Sequence, residues 1–198
     1  MESLDRDTAR HLALAAIRDS QQTAERLIAE SFADLWRGFE MLRDTFQRGH
    51  HLHVCGNGGS AADAQHFVAE LVVRLDANSR RRPLPATALA TDTSILTAAA
   101  NDFGFEQVFA RQIEARAQSG DLVLLLSTSG NSPNLLAAAA TARKMLAGTL
   151  ALLGKGGGQL HPLVDCAIVV PSDNTQRIQE VHDLCLHLWC EWLETALV

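Results

Sequence analysis

Two periodicities divide the chain. From residue 4 to 47, apolar side chains recur at helical spacing, among them Leu12, Leu14, Ile17, Leu27, Ile28, Phe32, Leu35, Trp36 and Leu42. The stretch has no proline and a single glycine, Gly38, so it predicts two helices or one long bent helix. Its apolar face has two available covers, the chain's own sheet or other subunits. After Gly49, short apolar runs at 51–55, 86–89, 122–126, 149–153 and 167–170 alternate with helical stretches at 60–75, 92–100, 106–118, 132–146 and 175–197. Such alternation predicts an α/β fold with a parallel sheet of five strands, covered by helices on both faces. Residues 1–48 then form a helical segment placed before residues 49–198, with one domain overall. No internal repeat is visible, and 78–85 is the most linker-like stretch. Ligands of open parallel sheets gather at the carboxyl ends of the strands, which directs attention to the loops after them.

Composition narrows the function classes. With 198 residues, 47% hydrophobic and 20% charged, the chain has the means to bury a core without staples. A formal net charge of −6 disfavours nucleic acid, which needs clustered positive charge, but not an anionic substrate met by a local field. Cys55, Cys166, Cys185 and Cys190 form no CxxC pair and lie in or beside apolar runs, where cysteine packs as a small hydrophobe. Residues 1–18 carry mixed charges and no apolar signal core, and no apolar run reaches about 18 residues. No membrane span is expected, and the cytoplasm is the expected location.

Two loops carry candidate chemistry. The first apolar run ends in Gly56-Asn57-Gly58-Gly59-Ser60, whose small residues allow close approach of a ligand to the backbone. Ser60 is expected to cap the next helix, with Asp63 three positions on as in a capping box. Free amides there suit an anion or a hydroxyl-rich ligand; a merely tight strand–helix turn accounts for the same residues. The pattern matches neither the full dinucleotide fingerprint nor a P-loop. The third run leads into Ser127-Thr128-Ser129-Gly130-Asn131-Ser132-Pro133. Pro133 suits the first turn of a helix and Ser132 the cap before it. Hydroxyls of Ser127, Thr128, Ser129 and Ser132 then converge beside a helix N-terminus, a phosphate site built without lysine, although such turns are also common as structure. The glycine-rich stretch 154–158 lacks the Lys-Ser/Thr of a P-loop and reads as a structural loop.

His66 and Glu70 are four apart on a predicted helix and share a face. The pair suits metal ligation or proton movement; a partly buried histidine beside a solvent-facing glutamate is the plain alternative. The last helix carries Gln179, His182 and His187. His11, His50, His51, His53 and His161 lie in positions that suit structural roles.

Taken together, the two loops resemble the sugar isomerase (SIS) family. The likeness runs from about residue 51 to the end and includes Ala64-Gln65-His66-Phe67-Val68-Ala69-Glu70, Asn101-Asp102-Phe103-Gly104-Phe105 and Arg177-Ile178-Gln179-Glu180. Within the family these segments look like the phosphoheptose isomerases. The resemblance implies a flavodoxin-like three-layer sandwich, a homo-oligomer that is a tetramer, and a phosphorylated seven-carbon sugar isomerised through an enediol for heptose and lipopolysaccharide or related glycan synthesis. It implies substrate contacts from Asn57, Gly58, Gly59, Ser60, Arg74, Asn101, Asp102 and Gln179, and phosphate contacts from Ser127, Thr128, Ser129 and Ser132. It also implies Glu70 and His187 as the catalytic pair and a zinc set of His66, Glu70, Gln179 and His187. Gln179 and His187 are eight residues apart, about 12 Å along a helix, so His66, Glu70 and His187 are the stronger ligand candidates. Isomerisation of another ketose phosphate, and a non-catalytic SIS protein such as the replication-initiator-binding homologue, are the alternatives. That homologue lacks a glutamate at the place of Glu70.

Overall fold

The computed structural model describes residues 4–197. In chain order the elements are α1 (Arg6–Gln47), β1 (Leu52–Gly56), α2 (Gly59–Val72), β2 (Ala86–Ala88), α3 (Thr93–Phe103), α4 (Ala110–Arg116), β3 (Leu122–Ser127), α5 (Pro133–Lys144), β4 (Gly148–Leu153), β5 (Cys166–Val169) and α6 (Thr175–Ala196). The strands form one all-parallel sheet in the order β2-β1-β3-β4-β5. Alternation along the strands sorts their side chains onto two faces. Leu52, Val54, Leu124, Leu126, Leu152 and Ile168 join Leu35, Phe39, Phe46, Phe67, Leu186 and Trp189 from α1, α2 and α6 in one core. Cys55, Val123, Leu125, Ala151 and Leu153 face a second core with Ala99, Ile113, Leu135 and Ala138 from α3, α4 and α5. All four cysteines are free and buried.

The N-terminal segment is one helix of 42 residues with non-helical backbone at Ser31, where it kinks. Asp5 caps it by accepting the Thr8 amide at 2.7 Å. Past the kink, Leu35, Phe39, Leu42 and Phe46 are buried in the first core, whereas Leu12, Ile17, Ile28, Phe32 and Trp36 stay exposed. α1 therefore serves the sheet with its second half and leaves an apolar stripe on its first half and flank. Gly38 permits this packing, because a Cβ there would lie 2.7 Å from the Trp189 ring.

One predicted helix is broken. Instead of a continuous helix over 106–118 there is a 3-10 turn at Phe105–Gln107 followed by the short α4. Gly104, at φ +90°, ends α3, and Val108 and Phe109 are buried at the junction, so packing overrides helical continuity. Among the described residues, no helix is long and apolar enough to cross a membrane.

Candidate active site

β1 and β3 are neighbours, and the chain moves outward from them in opposite directions. Their carboxyl ends form the crevice where such sheets bind ligands. The glycine-rich turn follows β1 and the serine–threonine loop follows β3. A reciprocal amide pair joins them: Asn57 Nδ2 donates to Asn134 Oδ1 at 2.9 Å, and Asn134 Nδ2 donates to Asn57 Oδ1 at 2.7 Å. Asn134 is buried and escaped the sequence reading, because a pairing across 77 residues leaves no local signal.

The glycine-rich turn differs from expectation at its cap. The N-cap of α2 is Gly58, at φ +57° and ψ −120°, with no side-chain cap bond. Ser60 lies inside the first turn and is 3% exposed, so it neither caps the helix nor presents its hydroxyl at the surface. The cap falls two residues before Ser60 because Gly58 adopts a backbone closed to other residues. At the next position, Gly59, the Gln179 amide packs directly over the backbone and would have to shift to admit a Cβ.

In the second loop, Ser132 is the N-cap of α5 and Pro133 opens its first turn. The Ser132 side chain makes no cap bond, leaving its hydroxyl free. Ser127 is buried and its Oγ accepts the Gly130 amide at 3.0 Å; Ser129 Oγ accepts the Asn131 amide at 3.3 Å. These two hydroxyls shape the loop and keep their own protons for donation. Gly130 packs against the carbonyl of Gly157 and accepts the Leu160 amide at 2.9 Å, so the 154–158 loop buttresses the serine–threonine loop.

α2 and α6 run side by side in the same direction. Gly59 meets Gln179 at one end, and His66 and Glu70 meet His187 further along. His66 Nε2 and His187 Nε2 are 3.1 Å apart, and Glu70 Oε1 lies 3.2 Å from the first and 3.5 Å from the second. Two imidazole nitrogens this close cannot both carry protons as donors to each other, so one Nε2 offers its lone pair. Glu70 is 9% exposed, and its Oε2 is buried without a hydrogen-bond partner. The triangle suits a zinc ion: ligand atoms about 2.0–2.2 Å from a tetrahedral ion sit about 3.3–3.5 Å apart. Asp183 Oδ2 lies 3.6 Å from His187 Nδ1, behind the ring. Asp63, one turn before His66, has its carboxyl pushed up to about 6 by burial and by the neighbouring Asp183. Its i, i+3 spacing to His66 was the sequence signal for it, masked by its apparent fit to a capping box.

The other expected site residues have the following surroundings. The Gln179 amide packs over Gly59 at the glycine-rich turn. The exposed Arg74 donates to the Ala77 carbonyl at 2.9 Å. Asn101 and Asp102 pair with each other at 2.7 Å at the exposed end of α3. Seven residues of helix separate Gly59 from His66, about 10 Å of rise, and Glu70 lies about 16 Å along. His182 is fully buried, with Nε2 3.1 Å from the Leu153 carbonyl, and burial drives its pKa down to about 4.

Comparison with known proteins follows this geometry. The SIS domain family model matches residues 17–154. Phosphoheptose isomerase of Campylobacter concisus is 53% identical over 157 residues, 79% of this chain and 82% of the relative. That of Geobacter sulfurreducens is 48% identical over 183 residues, 92% and 96% of the two chains. The structure of phosphoheptose isomerase from Neisseria gonorrhoeae superposes with a TM-score of 0.89 at 34% identity, covering 95% of this chain and 100% of that one.

Proposed function

The chain belongs to the phosphoheptose isomerases of the SIS-domain family, and we propose that it interconverts sedoheptulose 7-phosphate and D-glycero-D-manno-heptose 7-phosphate through an enediol. The observation that carries the chemistry is the placement of Glu70 Oε1 against two imidazoles at 3.2 and 3.5 Å. A non-catalytic SIS protein has no need of it.

Glu70 takes a proton from C1 of the ketose. The C–H electron pair becomes the C1–C2 double bond, and the C2 oxygen receives a proton from His187. Return of the proton from Glu70 to C2, with the O1 proton passing to His187 to restore it, completes the aldose. A carboxylate and an imidazole have suitable basicity for these transfers near neutral pH. Burial of Glu70 limits competition from water. His66, Glu70 and His187 would hold zinc, which when bound supplies Lewis-acid stabilisation of charge on the sugar oxygens. The same side-chain atoms serve ligation and proton transfer, so turnover and bound metal must be measured in the same sample. Thr128 and Ser132 hydroxyls, with the α5 N-terminus, seat the phosphate.

The separation along α2 between the glycine-rich turn, tied to the phosphate loop through Asn57 and Asn134, and the triangle supports a site completed by a second copy, within a homotetramer joined through the apolar stripe of α1. Arg74, Asn101 and Asp102, exposed in one chain, are then available to a neighbour's sugar. The product suits heptose supply for lipopolysaccharide or related glycans, and the cytoplasm suits such an enzyme. The reading is tested by incubating the protein with sedoheptulose 7-phosphate in heavy water. Aldose product carrying deuterium at C2 is expected; absence of any aldose would remove the proposal.

A further inference from the structure

The C-terminal turn of α2 leaves carbonyls without helical partners, and two of them are taken by one side chain. Arg81, in the segment between α2 and β2, donates from Nη2 to the Glu70 carbonyl and from Nη1 to the Leu71 carbonyl at 2.6 and 2.7 Å, with a longer Nη1 contact to the Arg82 carbonyl at 3.2 Å. Its side chain is 1% exposed, and Nε has no partner, so the guanidinium lies in the interior and meets the helix end with both terminal nitrogens. Nη2 is also 3.4 Å from Glu194 Oε1. Glu194 belongs to α6, two turns beyond His187, and its carboxylate accepts the Leu75 and Asp76 amides at 2.9 and 3.0 Å. Cys190, between His187 and Glu194 on α6, has its thiol pushed up by burial and then by Glu70, with Arg81 and Glu194 also acting on it. All four groups therefore share one neighbourhood.

We propose that Arg81 is a positioning residue: through Glu194 it ties the end of α2 to α6 and so fixes Glu70 opposite His187. The inference rests on the isomerase reading of Glu70 and His187. A positive charge at a helix C-terminus is favourable in itself, but capping alone would not need Glu194 on the helix that carries His187. The fork to two successive carbonyls is a geometry that lysine cannot reproduce.

The test compares Arg81→Lys, which keeps charge and loses the fork, with Arg81→Met/Glu194→Gln, which removes the ion pair without leaving a buried charge. Each is measured for helix content and thermal melting, for cobalt(II) binding by visible absorption, and for kcat and KM with sedoheptulose 7-phosphate. In folded variants kcat and cobalt affinity should each fall about tenfold or more, the low end for losing a residue that orients a ligand, while KM stays within about threefold. Wild-type kcat and cobalt affinity in a folded variant, with melting alone lowered, would overturn the proposal and leave Arg81 a structural cap. Should the double variant not fold, Arg81→Lys decides. If the wild type isomerises no phosphosugar, yet cobalt affinity falls in the variants, the isomerase reading fails and the positioning role stands.

Discussion

Two clusters in this molecule are built from the same materials. At the amino ends of β1 and β3, His53 Nε2 is 3.3 Å and His50 Nδ1 3.8 Å from the Asp121 carboxylate. On the flank of α2 and α6, two imidazoles stand at similar distances from Glu70. The difference lies in what else the carboxylate does. Asp121 accepts the His51 amide at 2.9 Å and the Gln118 amide at 2.9 Å; burial raises its pKa, but these amides and His53 pull it below the ordinary value. Its lone pairs are engaged in closing the turn before β3. Glu70 accepts no backbone amide through its side chain, and one of its oxygens has no partner. Residue types do not make a site; lone pairs left over after folding do. His51 and His53, both pulled down by burial first, are neutral structural rings.

The largest separation between the clusters should appear in turnover. Glu70→Gln is expected to lower kcat by about 10²-fold or more, the range for removing a general base, and to leave the melting temperature near that of the wild type. Near-normal kcat would move the role of base to another group. Next in size is a pH effect from the third histidine environment, that of His182. Its folded pKa of about 4 lies below the unfolded value of about 6.5. The unfolded state therefore binds the proton first, and stability present above pH 6.5 declines as pH falls towards 4. The full effect is about 3 kcal/mol, so denaturant unfolding of the wild type and of His182→Gln should diverge from neutral pH down to pH 4, with the variant losing less.

Asp121→Asn should behave as the mirror of Glu70→Gln. Weakened charge-assisted bonds to the two amides predict a loss of about 1.5–3 kcal/mol in stability with kcat unchanged once the protein is folded. A fall in kcat matching that of Glu70→Gln would erase the distinction between the clusters. The smallest contrast is in metal content. His66→Ala should weaken zinc binding by at least about tenfold, whereas His53→Ala should leave it unaltered; equal zinc by elemental analysis in both variants would detach the metal from the triangle.

The elements of the fold were legible because each strand and helix carries its own period. Every expected strand is present within one or two residues, and Val54 and Cys55 fall on opposite faces as alternation requires. Pairings distant in sequence were not legible. Asn57 gives no hint of Asn134, Glu70 none of Arg81, and the cap at Gly58 depends on a positive φ that several glycines in the run were equally free to adopt. The helical spacing of His66 and Glu70 was readable, but the approach of His187 depends on how α2 and α6 pack. Nor was the contact of the Gln179 amide with Gly59 legible, since the two residues lie on different helices far apart in sequence.

The distance along α2 between the glycine-rich turn, which Asn57 ties to the phosphate loop, and Glu70 has a genetic consequence. If each reaction centre borrows its loop from one chain and its triangle from another, two defective alleles can rescue each other. Chains carrying Glu70→Gln and chains carrying Ser129→Ala/Ser132→Ala are each expected to be impaired alone. Co-expressed, they would assemble some centres with both components intact, so activity would exceed that of either parent. Mixed assemblies no more active than the sum of their parents would return the loop and the triangle to a single polypeptide.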